Sequence, residues 1–329
     1  MTLRAGLIGC GRIGFGFQQD VQRVGIASHA GAYAALDGLA LQAVADPDLA
    51  TAKRCATLFG APDCRVFRDP AEMLATTELD VISIASPDEL HAGHLDESLK
   101  VPQLRGVLLE KPLALSTGVA ESLLSRIAAC GIPVLVNYSR RFCSAHQAVR
   151  QAIISGELGE IRTVTGFYGK GLRHNGTHWL DLARWFFGEL AVHEVRQSHA
   201  RPFGVDATPD VILSAASGLL LHLHAADDRD YTLFEMDIVG THGRVRVLDG
   251  GLNIEWYRVE ASPYFSGYQQ LVRWQTVSGL RDSLLHAVAN LRDAVTQGAA
   301  PLCSADDAAQ ALRLACQAAA YLPVASEGA

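Results

Sequence analysis

The chain has 329 residues, of which 49% are hydrophobic and 19% are charged, and its formal net charge at pH 7 is -7. This length exceeds what one ordinary hydrophobic core uses, so it predicts two domains. The acidic balance and the lack of a basic run argue against nucleic acid or an anionic membrane as the main partner. No stretch reaches the roughly 18 consecutive apolar residues that a membrane helix needs.

Cysteine usage and the N-terminal sequence indicate the compartment. The seven cysteines are scattered and form no C-x-x-C pair. An apolar strand follows the first residues directly, without the pattern of a signal peptide. An odd, unpatterned set of cysteines without an export signal indicates free thiols in a reducing compartment. We therefore expect a cytoplasmic protein.

A glycine motif with the spacing G-x-G-x-x-G follows the apolar run 3–8. In a dinucleotide-binding loop the first glycine permits the tight turn and the second lets backbone N–H groups approach a pyrophosphate. The third lets the following helix pack on the strand, and the N-terminus of that helix favours the anion. An ordinary glycine-rich turn is the alternative. The predicted cofactor-binding residues of this loop are Gly9, Gly11, Arg12, Ile13 and Gly14.

Strand and helix patterns alternate through the first half of the chain. After the glycine motif, the predicted strands are 39–45, 80–85, 106–109 and 133–136. The predicted helices are 29–36, 49–59, a short one from residue 70, 88–100 and 116–130. Buried strands that alternate with amphipathic helices predict a parallel, doubly wound sheet of the Rossmann type. This context strongly favours dinucleotide binding over a simple turn. The long segment 15–28 predicts an insertion in the first crossover.

Ligands of such sheets bind at the carboxyl ends of the strands, so the residues that follow each strand are candidates for the site. Asp46 follows the second strand, where a carboxylate binds the adenosine ribose and repels a 2′-phosphate, which predicts NAD rather than NADP. A cap for the helix 49–59 is the alternative or additional role of Asp46. Lys111 follows the strand 106–109 and is expected beside the nicotinamide, and a surface lysine is its alternative.

Several spaced motifs together resemble the Gfo/Idh/MocA oxidoreductases, the glucose-fructose oxidoreductase and inositol dehydrogenase family. Besides the glycine loop, they are Ala45-Asp46-Pro47, His29-Ala30-Gly31-Ala32-Tyr33, Ser86-Pro87 followed by His91, Glu110-Lys111-Pro112, Arg141-Phe142 and the segment 155–161. The resemblance implies a Rossmann domain, residues 1–137, and a C-terminal α/β domain, residues 138–329, with a large, mostly antiparallel sheet. It also implies that Lys111 lies between nicotinamide and substrate, commonly with a cis bond before Pro112, and that the protein is a homodimer or homotetramer.

A second motif lies at residues 174–181, after a predicted strand at 161–168 and at the start of a predicted helix that ends at Gly188. Members of the family usually show D-x-G-x-H-x-x-D here. Gly176, His178 and Asp181 match, but His174 replaces the leading aspartate, which in inositol-dehydrogenase-like members joins the histidine and the lysine in proton relay. We expect His178 in the first helical turn, where the positive helix end favours the neutral imidazole.

Two alternatives for this segment are open. His174, His178 and Asp181 have a spacing that could bind a metal, although Asn175 stands where a zincin has its glutamate and His174 is expected before the helix. His178 and Asp181 could also serve only to fix the loop and cap the helix. Farther along, strands are predicted at 219–225, 234–240, 244–248 and 252–257, with a hairpin at Gly250-Gly251 and helices at 283–297 and 305–321.

The sequence therefore predicts an NAD-dependent oxidoreductase that transfers a hydride between nicotinamide and a sugar, a cyclitol or a nucleotide-linked sugar, without a metal. The catalytic candidates are Lys111, His178 and His174. The remaining cofactor-binding candidates are Asp46, Ser86, Pro87, His91, Glu110 and Lys111, and the substrate-binding candidates are Asn175, Asp181 and Arg141. The alternatives are an NAD-using glycoside hydrolase of the same family and a cofactor-binding regulator without turnover.

Overall fold

In the computed structural model, which describes residues 2–322, the chain forms two compact units. The first comprises the residues up to Cys143 together with Arg281–Ala309. The second comprises Ser144–Leu280 and the described residues from Gln310 onward. The predicted division after residue 137 differs from this, because it left residues 281–309 in the second domain. Within residues 2–322, no helix is long and apolar enough to cross a membrane.

The first unit is built on a six-stranded sheet in which all paired strands are parallel. Its strands are β1 (Leu3–Ile8), β2 (Leu39–Ala45), β3 (Arg65–Phe67), β4 (Val81–Ile84), β5 (Gly106–Leu109) and β6 (Val134–Val136). They lie in the order β3-β2-β1-β4-β5-β6, which is the order of dinucleotide-binding sheets. The predicted doubly wound parallel sheet is confirmed. Strand β3 was not predicted, because its three residues are too few to show a hydrophobic pattern.

The second unit is built on an eight-stranded sheet. Its strands are β7 (Ile161–Tyr168), β8 (Leu190–Arg196), β9 (Asp210–Ala215), β10 (Leu220–Ala225), β11 (Phe234–Gly240), β12 (Gly243–Leu248), β13 (Asn253–Ala261) and β14 (Gln269–Ser278). They lie in the order β14-β13-β12-β11-β7-β10-β9-β8. Strand β10 pairs with β7 in parallel, and the other neighbours pair in antiparallel fashion. The expected large, mostly antiparallel sheet is confirmed, including the hairpin between β12 and β13.

The α-helices of the described residues complete the two units. They are α1 (His29–Ala35), α2 (Leu49–Phe59), α3 (Pro70–Thr76), α4 (His91–Ser98), α5 (Thr117–Cys130), α6 (Ser144–Ile154), α7 (Thr177–Phe187), α8 (Ser283–Gln297) and α9 (Ala305–Ala320). A 3-10 turn, Asp88–Leu90, precedes α4, and a π-helix, Gly171–Gly176, precedes α7. Side-chain caps fix several starts: Ser28 accepts a hydrogen bond from the N–H of Gly31, and Asp69 accepts one from the N–H of Ala71.

Helix α8 belongs to the first unit because it packs against β5. A Cβ atom on Gly106 would lie 2.7 Å from a methyl carbon of Val295 and 2.9 Å from one of Leu291. The backbone N–H of Val136 also donates to the carbonyl of Cys303, at 3.0 Å. The segment that follows the second unit in sequence therefore supplies part of the core of the first.

A partly buried ion pair joins the beginnings of β1 and β4. The carboxylate of Asp80, a residue only 4% exposed, accepts the backbone N–H of Arg4 at 2.8 Å and its Nε at 3.0 Å. Burial raises the pKa of Asp80, but the hydrogen bonds from Arg4 outweigh it, and the net pKa lies below its ordinary value. The pair therefore links two central strands through a charged carboxylate.

The two faces of the eight-stranded sheet differ in what covers them. Helix α7 covers one face, where the Nε1 of Trp179 donates to the carbonyl of Glu235 at 3.1 Å. A Cβ atom on Gly166 would lie 2.0 Å from that nitrogen, so only glycine admits the indole there. The other face keeps large apolar side chains in solvent within this chain, among them Phe167, 37% exposed, and Leu220, 39% exposed.

Candidate functional site

The three glycines of the loop after β1 have different steric surroundings, so the requirement for glycine differs among them. Gly9 has a φ of 93°, and a Cβ atom there would lie 2.6 Å from the carbonyl oxygen of Ala85. A Cβ atom on Gly14 would lie 2.0 Å from the carbonyl oxygen of Gly9. On Gly11 it would meet nothing within 4 Å. The fold therefore requires glycine at the first and third positions, whereas the second leaves open space beside the backbone that a ligand can use.

The glycine loop does not lead into a regular α-helix, and that prediction was wrong. The N–H of Phe15 donates to the carbonyl of Gly11 at 3.0 Å, which closes one irregular turn before a 3-10 helix, Gly16–Gln19. Helix α1 begins only at His29, after the inserted segment, and the N–H of His29 donates to the carbonyl of Ile13 at 3.1 Å. The first N–H groups of α1 thus bind the loop itself, so they do not form the predicted anion site.

The loop's own N–H groups take that role instead. Its carbonyls at residues 11 to 14 all accept backbone hydrogen bonds. Within the described part of the chain, the N–H groups of the same four residues donate to no protein acceptor. Successive unpaired N–H groups beside open space favour an anion. The residues present therefore fit the pyrophosphate of a dinucleotide.

Asp46 lies at the carboxyl end of β2 and is tied to the glycine loop. Its Oδ2 accepts the N–H of Cys10 at 2.7 Å, and its Oδ1 accepts the N–H of Asp48 at 2.8 Å. Helix α2 is capped by Asp48, whose Oδ1 accepts the N–H of Ala50 at 3.0 Å, so the predicted cap role of Asp46 was wrong. Each Asp46 oxygen keeps a second lone pair, which a ribose hydroxyl can use.

His91 connects the loops that follow β4 and β5. Its ring is fully buried, with Nδ1 2.8 Å from the carbonyl oxygen of Pro112 and Nε2 2.8 Å from that of Ser86. The bond between Lys111 and Pro112 is cis, as the resemblance implied. Because both ring nitrogens are engaged with the backbone, we interpret His91 as a brace for the two loops rather than as a direct ligand of the cofactor.

Glu110 lies at the carboxyl end of β5 in a network that joins three strands and α1. Its Oε1 accepts the Nδ2 of Asn137 at 2.6 Å and lies 2.8 Å from the Nε2 of His29. The Nδ1 of His29 lies 2.9 Å from the Oγ of Ser83, which lies 2.8 Å from the hydroxyl of Tyr33. The sequence indicated His29 only as part of a family motif. Its contact with Glu110 could not be predicted, because the two residues are 81 positions apart.

Burial raises the pKa of Glu110, but the hydrogen bonds and charge of its neighbours outweigh burial, and the net pKa lies below its ordinary value. The hydrogen bond from His29 contributes most to this lowering, followed by the Coulombic effect of His29, the hydrogen bond from Asn137 and the charge of Lys111. The buried Oδ1 of Asn137 has no hydrogen-bond partner among the described residues. An unpaired buried acceptor beside a carboxylate is a place for a donor from a ligand, which fits the nicotinamide end of a dinucleotide.

Arg141 is not brought together with these residues. It is 4% exposed, its Nη1 lies 3.2 Å from a carboxylate oxygen of Asp307, and the same nitrogen donates to the carbonyl of Leu302 at 3.2 Å. These contacts hold the first turn of α9 and the residues just before it. The binding of substrate by Arg141 stays a prediction.

In the second unit, the candidates lie along one helical run. His174 precedes α7, as expected, but it lies in the π-helix that continues directly into α7, which the sequence did not predict. His178 is the second residue of α7, as predicted, but the π-helix precedes it. The dipole argument for a neutral His178 therefore loses its basis, because the positive end of the run lies near Gly171. Asn175 donates from Nδ2 to the carbonyl of Gly169 at 3.0 Å, and Asp181 is 1% exposed.

Asp206 fixes the start of this run, and sequence reasoning missed it. Its Oδ2 accepts the N–H groups of Arg173 and His174, each at 2.8 Å. The ring of His174 also stacks on Phe203, with 5.0 Å between ring centroids. No local pattern could reveal Asp206, since it caps the run from 32 residues away. Among the described residues, no three His, Cys, Asp or Glu side chains form a group that could hold a metal, so the alternative of a metal site gains no support.

Comparison with known proteins agrees with this geometry. Residues 3–138 match the model of the Gfo/Idh/MocA oxidoreductase family with its NAD-binding Rossmann fold, and residues 168–246 match the family's C-terminal domain model. The chain is 27% identical over 237 residues to inositol 2-dehydrogenase 4 of Saccharopolyspora erythraea, covering 67% of this chain and 65% of that protein. It is 28% identical over 221 residues to D-glucoside 3-dehydrogenase of Escherichia coli, covering 61% of this chain and 59% of that protein. The matched regions thus span somewhat less than two thirds of these relatives.

Solved structures share the whole fold. A putative myo-inositol dehydrogenase from Sinorhizobium meliloti superposes with a TM-score of 0.74 at 23% identity, covering 97% of this chain and 98% of that one. UDP-N-acetylglucosamine 3-dehydrogenase from Acidithiobacillus ferrooxidans superposes with a TM-score of 0.75 at 20% identity, covering 97% of each chain. At these identities the likeness establishes the fold.

Proposed function

The chain belongs to the Gfo/Idh/MocA oxidoreductase family, and on this premise we propose that it is an NAD-dependent oxidoreductase acting on a CH–OH group. The substrate is a sugar, a cyclitol or a nucleotide-linked sugar. One observation carries the proposal: Glu110 and Lys111 stand at the carboxyl end of β5, in the same sheet as a glycine loop whose N–H groups lack protein acceptors. The loop suits the pyrophosphate, and strands β4 to β6 then receive the nicotinamide half.

The proposed roles follow from the types of the side chains. When bound, NAD supplies the chemistry that accepts or donates the hydride. Lys111 hydrogen-bonds the reacting oxygen of the substrate and biases its charge. His178 exchanges the proton of that oxygen, and His174 takes the place that an aspartate holds in related members. Asn175 and Asp181 hold substrate hydroxyls.

The names of relatives suggest which compounds to try first. They include inositol 2-dehydrogenases, a D-glucoside 3-dehydrogenase and a UDP-N-acetylglucosamine 3-dehydrogenase. The test is a screen of inositols, glucosides and sugar nucleotides with NAD, following the absorbance of NADH. No NADH with any compound would contradict the proposal. Product release from glycosides without net NADH would instead indicate the hydrolase alternative.

Variants test the assigned residues once a substrate is found. Lys111→Ala and His178→Ala should each lower turnover about 100-fold or more, while the Kd of NAD changes little. The matched control is Lys53→Ala on the exposed side of α2, which should keep turnover. Normal turnover in either active-site variant would refute its assigned role.

We also propose a cytoplasmic homodimer or homotetramer that associates through the uncovered face of the eight-stranded sheet. Exposed Phe167 and Leu220 on that face support association, and seven scattered cysteines without a C-x-x-C pair support a reducing compartment. Sedimentation velocity of the parent and of Phe167→Lys tests the interface, because a charge on this face should shift the distribution toward monomer. A parent that sediments as a monomer would contradict it.

A further inference from the structure

His29 occupies a position from which it can organise the carboxylate beside Lys111. The residue is fully buried at the first position of α1, between Ser83 on β4 and Glu110 after β5. Its backbone N–H donates to the carbonyl of Ile13 in the glycine loop at 3.1 Å. One residue thus holds the loop that suits the pyrophosphate and the carboxylate at the nicotinamide end of the same sheet.

The direction of the hydrogen bond between His29 and Glu110 follows from the charge of the carboxylate. An ionised Glu110 can only accept, so the Nε2 of His29 carries the proton of their 2.8 Å contact. On the other side of the ring, the Oγ of Ser83 lies 2.9 Å from Nδ1 and 2.8 Å from the hydroxyl of Tyr33. Burial raises the pKa of Tyr33, which keeps that hydroxyl a donor. Both ring nitrogens are therefore engaged, and Nε2 is the one that donates to Glu110.

The network occupies only one oxygen of the carboxylate. The Oε1 of Glu110 accepts a hydrogen bond from the Nδ2 of Asn137 at 2.6 Å and lies 2.8 Å from the Nε2 of His29. Among the described residues, Oε2 has no hydrogen-bond partner, and the side chain of Glu110 is 13% exposed. Oε2 is therefore the oxygen that a bound ligand can reach. A carboxylate held there also stabilises a positive charge nearby, such as the oxidised nicotinamide ring.

We propose that His29 is a positioning residue: with Asn137 it holds Oε1 of Glu110 so that Oε2 receives the nicotinamide half of the bound dinucleotide. The proposal rests on the NAD-dependent function proposed above and deepens it. It predicts that His29 acts on the nicotinamide end of the cofactor and not on the adenosine end. ADP-ribose, which lacks the nicotinamide, separates the two.

Two substitutions divide the functions of the ring. His29→Gln places an amide near Nε2 and keeps a donor toward Glu110, whereas His29→Asn places it near Nδ1 and keeps only the contact with Ser83. His29→Asn and Glu110→Gln should raise the Kd of NAD+ about tenfold or more, as expected for a lost hydrogen bond to a charged group. The Kd of ADP-ribose should stay within about twofold in every variant. His29→Gln should recover most of the NAD+ affinity, and His193→Asn on the exposed part of β8 is the matched control.

Calorimetric titration measures both constants without turnover, so this test is independent of whether a substrate has been found. Parallel weakening of NAD+ and ADP-ribose would show a merely structural role and overturn the proposal. Unchanged NAD+ affinity in His29→Asn would overturn it as well. If the variants fail to fold, the unsubstituted protein provides the test. Its 15N spectra, recorded with labelled histidine, should show a proton on the Nε2 of His29, and an Nδ1–H tautomer without that proton would refute the proposal.

Discussion

The open space at Gly11 and the crowding at Gly14 predict opposite outcomes for the same substitution in one loop. In Gly14→Ala, the new methyl carbon would lie 2.0 Å from the carbonyl oxygen of Gly9, against an ordinary contact of about 3.5 Å. The loop must shift by about 1.5 Å, and overpacking of this kind costs about 1 to 3 kcal/mol. At about 3 °C per kcal/mol, we expect the Tm to fall by about 3 to 9 °C.

In Gly11→Ala the methyl group meets no protein atom within 4 Å, so the free energy of unfolding should change by less than about 0.5 kcal/mol. The methyl group instead occupies the space beside the unpaired N–H groups, where we place the pyrophosphate. Losing one hydrogen bond to that anion costs about 1.5 to 3 kcal/mol, which raises the Kd of NAD about 10- to 150-fold.

Differential scanning calorimetry of the two variants, with and without NAD, checks both expectations on one instrument. NAD should raise the Tm of the parent and of Gly14→Ala, and should raise that of Gly11→Ala far less. An equally low Tm for Gly11→Ala and Gly14→Ala would contradict the steric difference between the two positions. Binding of NAD by Gly11→Ala as tight as by the parent would contradict the placement of the pyrophosphate.

Three further substitutions test other contacts. Asp80→Asn should lower the free energy of unfolding at pH 7 by about 1 to 3 kcal/mol in urea titrations. Burial raises the pKa of Asp80 but Arg4 lowers it more, so this stabilisation is present above the ordinary pKa of 3.8 and disappears as pH falls through the lowered value. The difference between variant and parent should therefore shrink in acid. Asp206→Ala should lower turnover by loosening the backbone of His174, with NAD affinity unchanged by titration. Asp46→Ser should narrow the preference for NAD over NADP, measured as the ratio of Kd values.

The first unit was largely predictable because its signals are local. Apolar strands of four to seven residues alternate with helices, and right-handed crossovers leave few ways to arrange them. The positions after the strands then indicated Asp46 and Glu110 as candidates for the site, and these roles stay predictions. The insertion 15–28 and the helix that starts at His29 were also predicted, but the expectation that a helix N-terminus follows the glycine loop directly was wrong.

The contacts that organise the candidate site were not predictable, because they join residues far apart in sequence. The ring of His29 meets Glu110 across 81 positions, and Asp206 caps the helical run at His174 across 32. The second sheet was predicted only in part for a related reason. Strands β8 and β14 have almost no buried residues, so their sequences lack the alternation that marks a half-buried strand. Their place in the sheet follows from pairing with β9 and β13.

Residues 281–309 belong to the first unit but follow the second unit in sequence, so the first unit can complete its fold only late during translation. Strands β1 to β6 leave the ribosome first, but the side chains of Leu291 and Val295 that cover Gly106 emerge only after the entire eight-stranded sheet has been translated. Until then the nascent first unit exposes apolar surface at β5, where it can aggregate or recruit a chaperone. The dinucleotide-binding unit is therefore the first to begin and among the last parts of this protein to be completed.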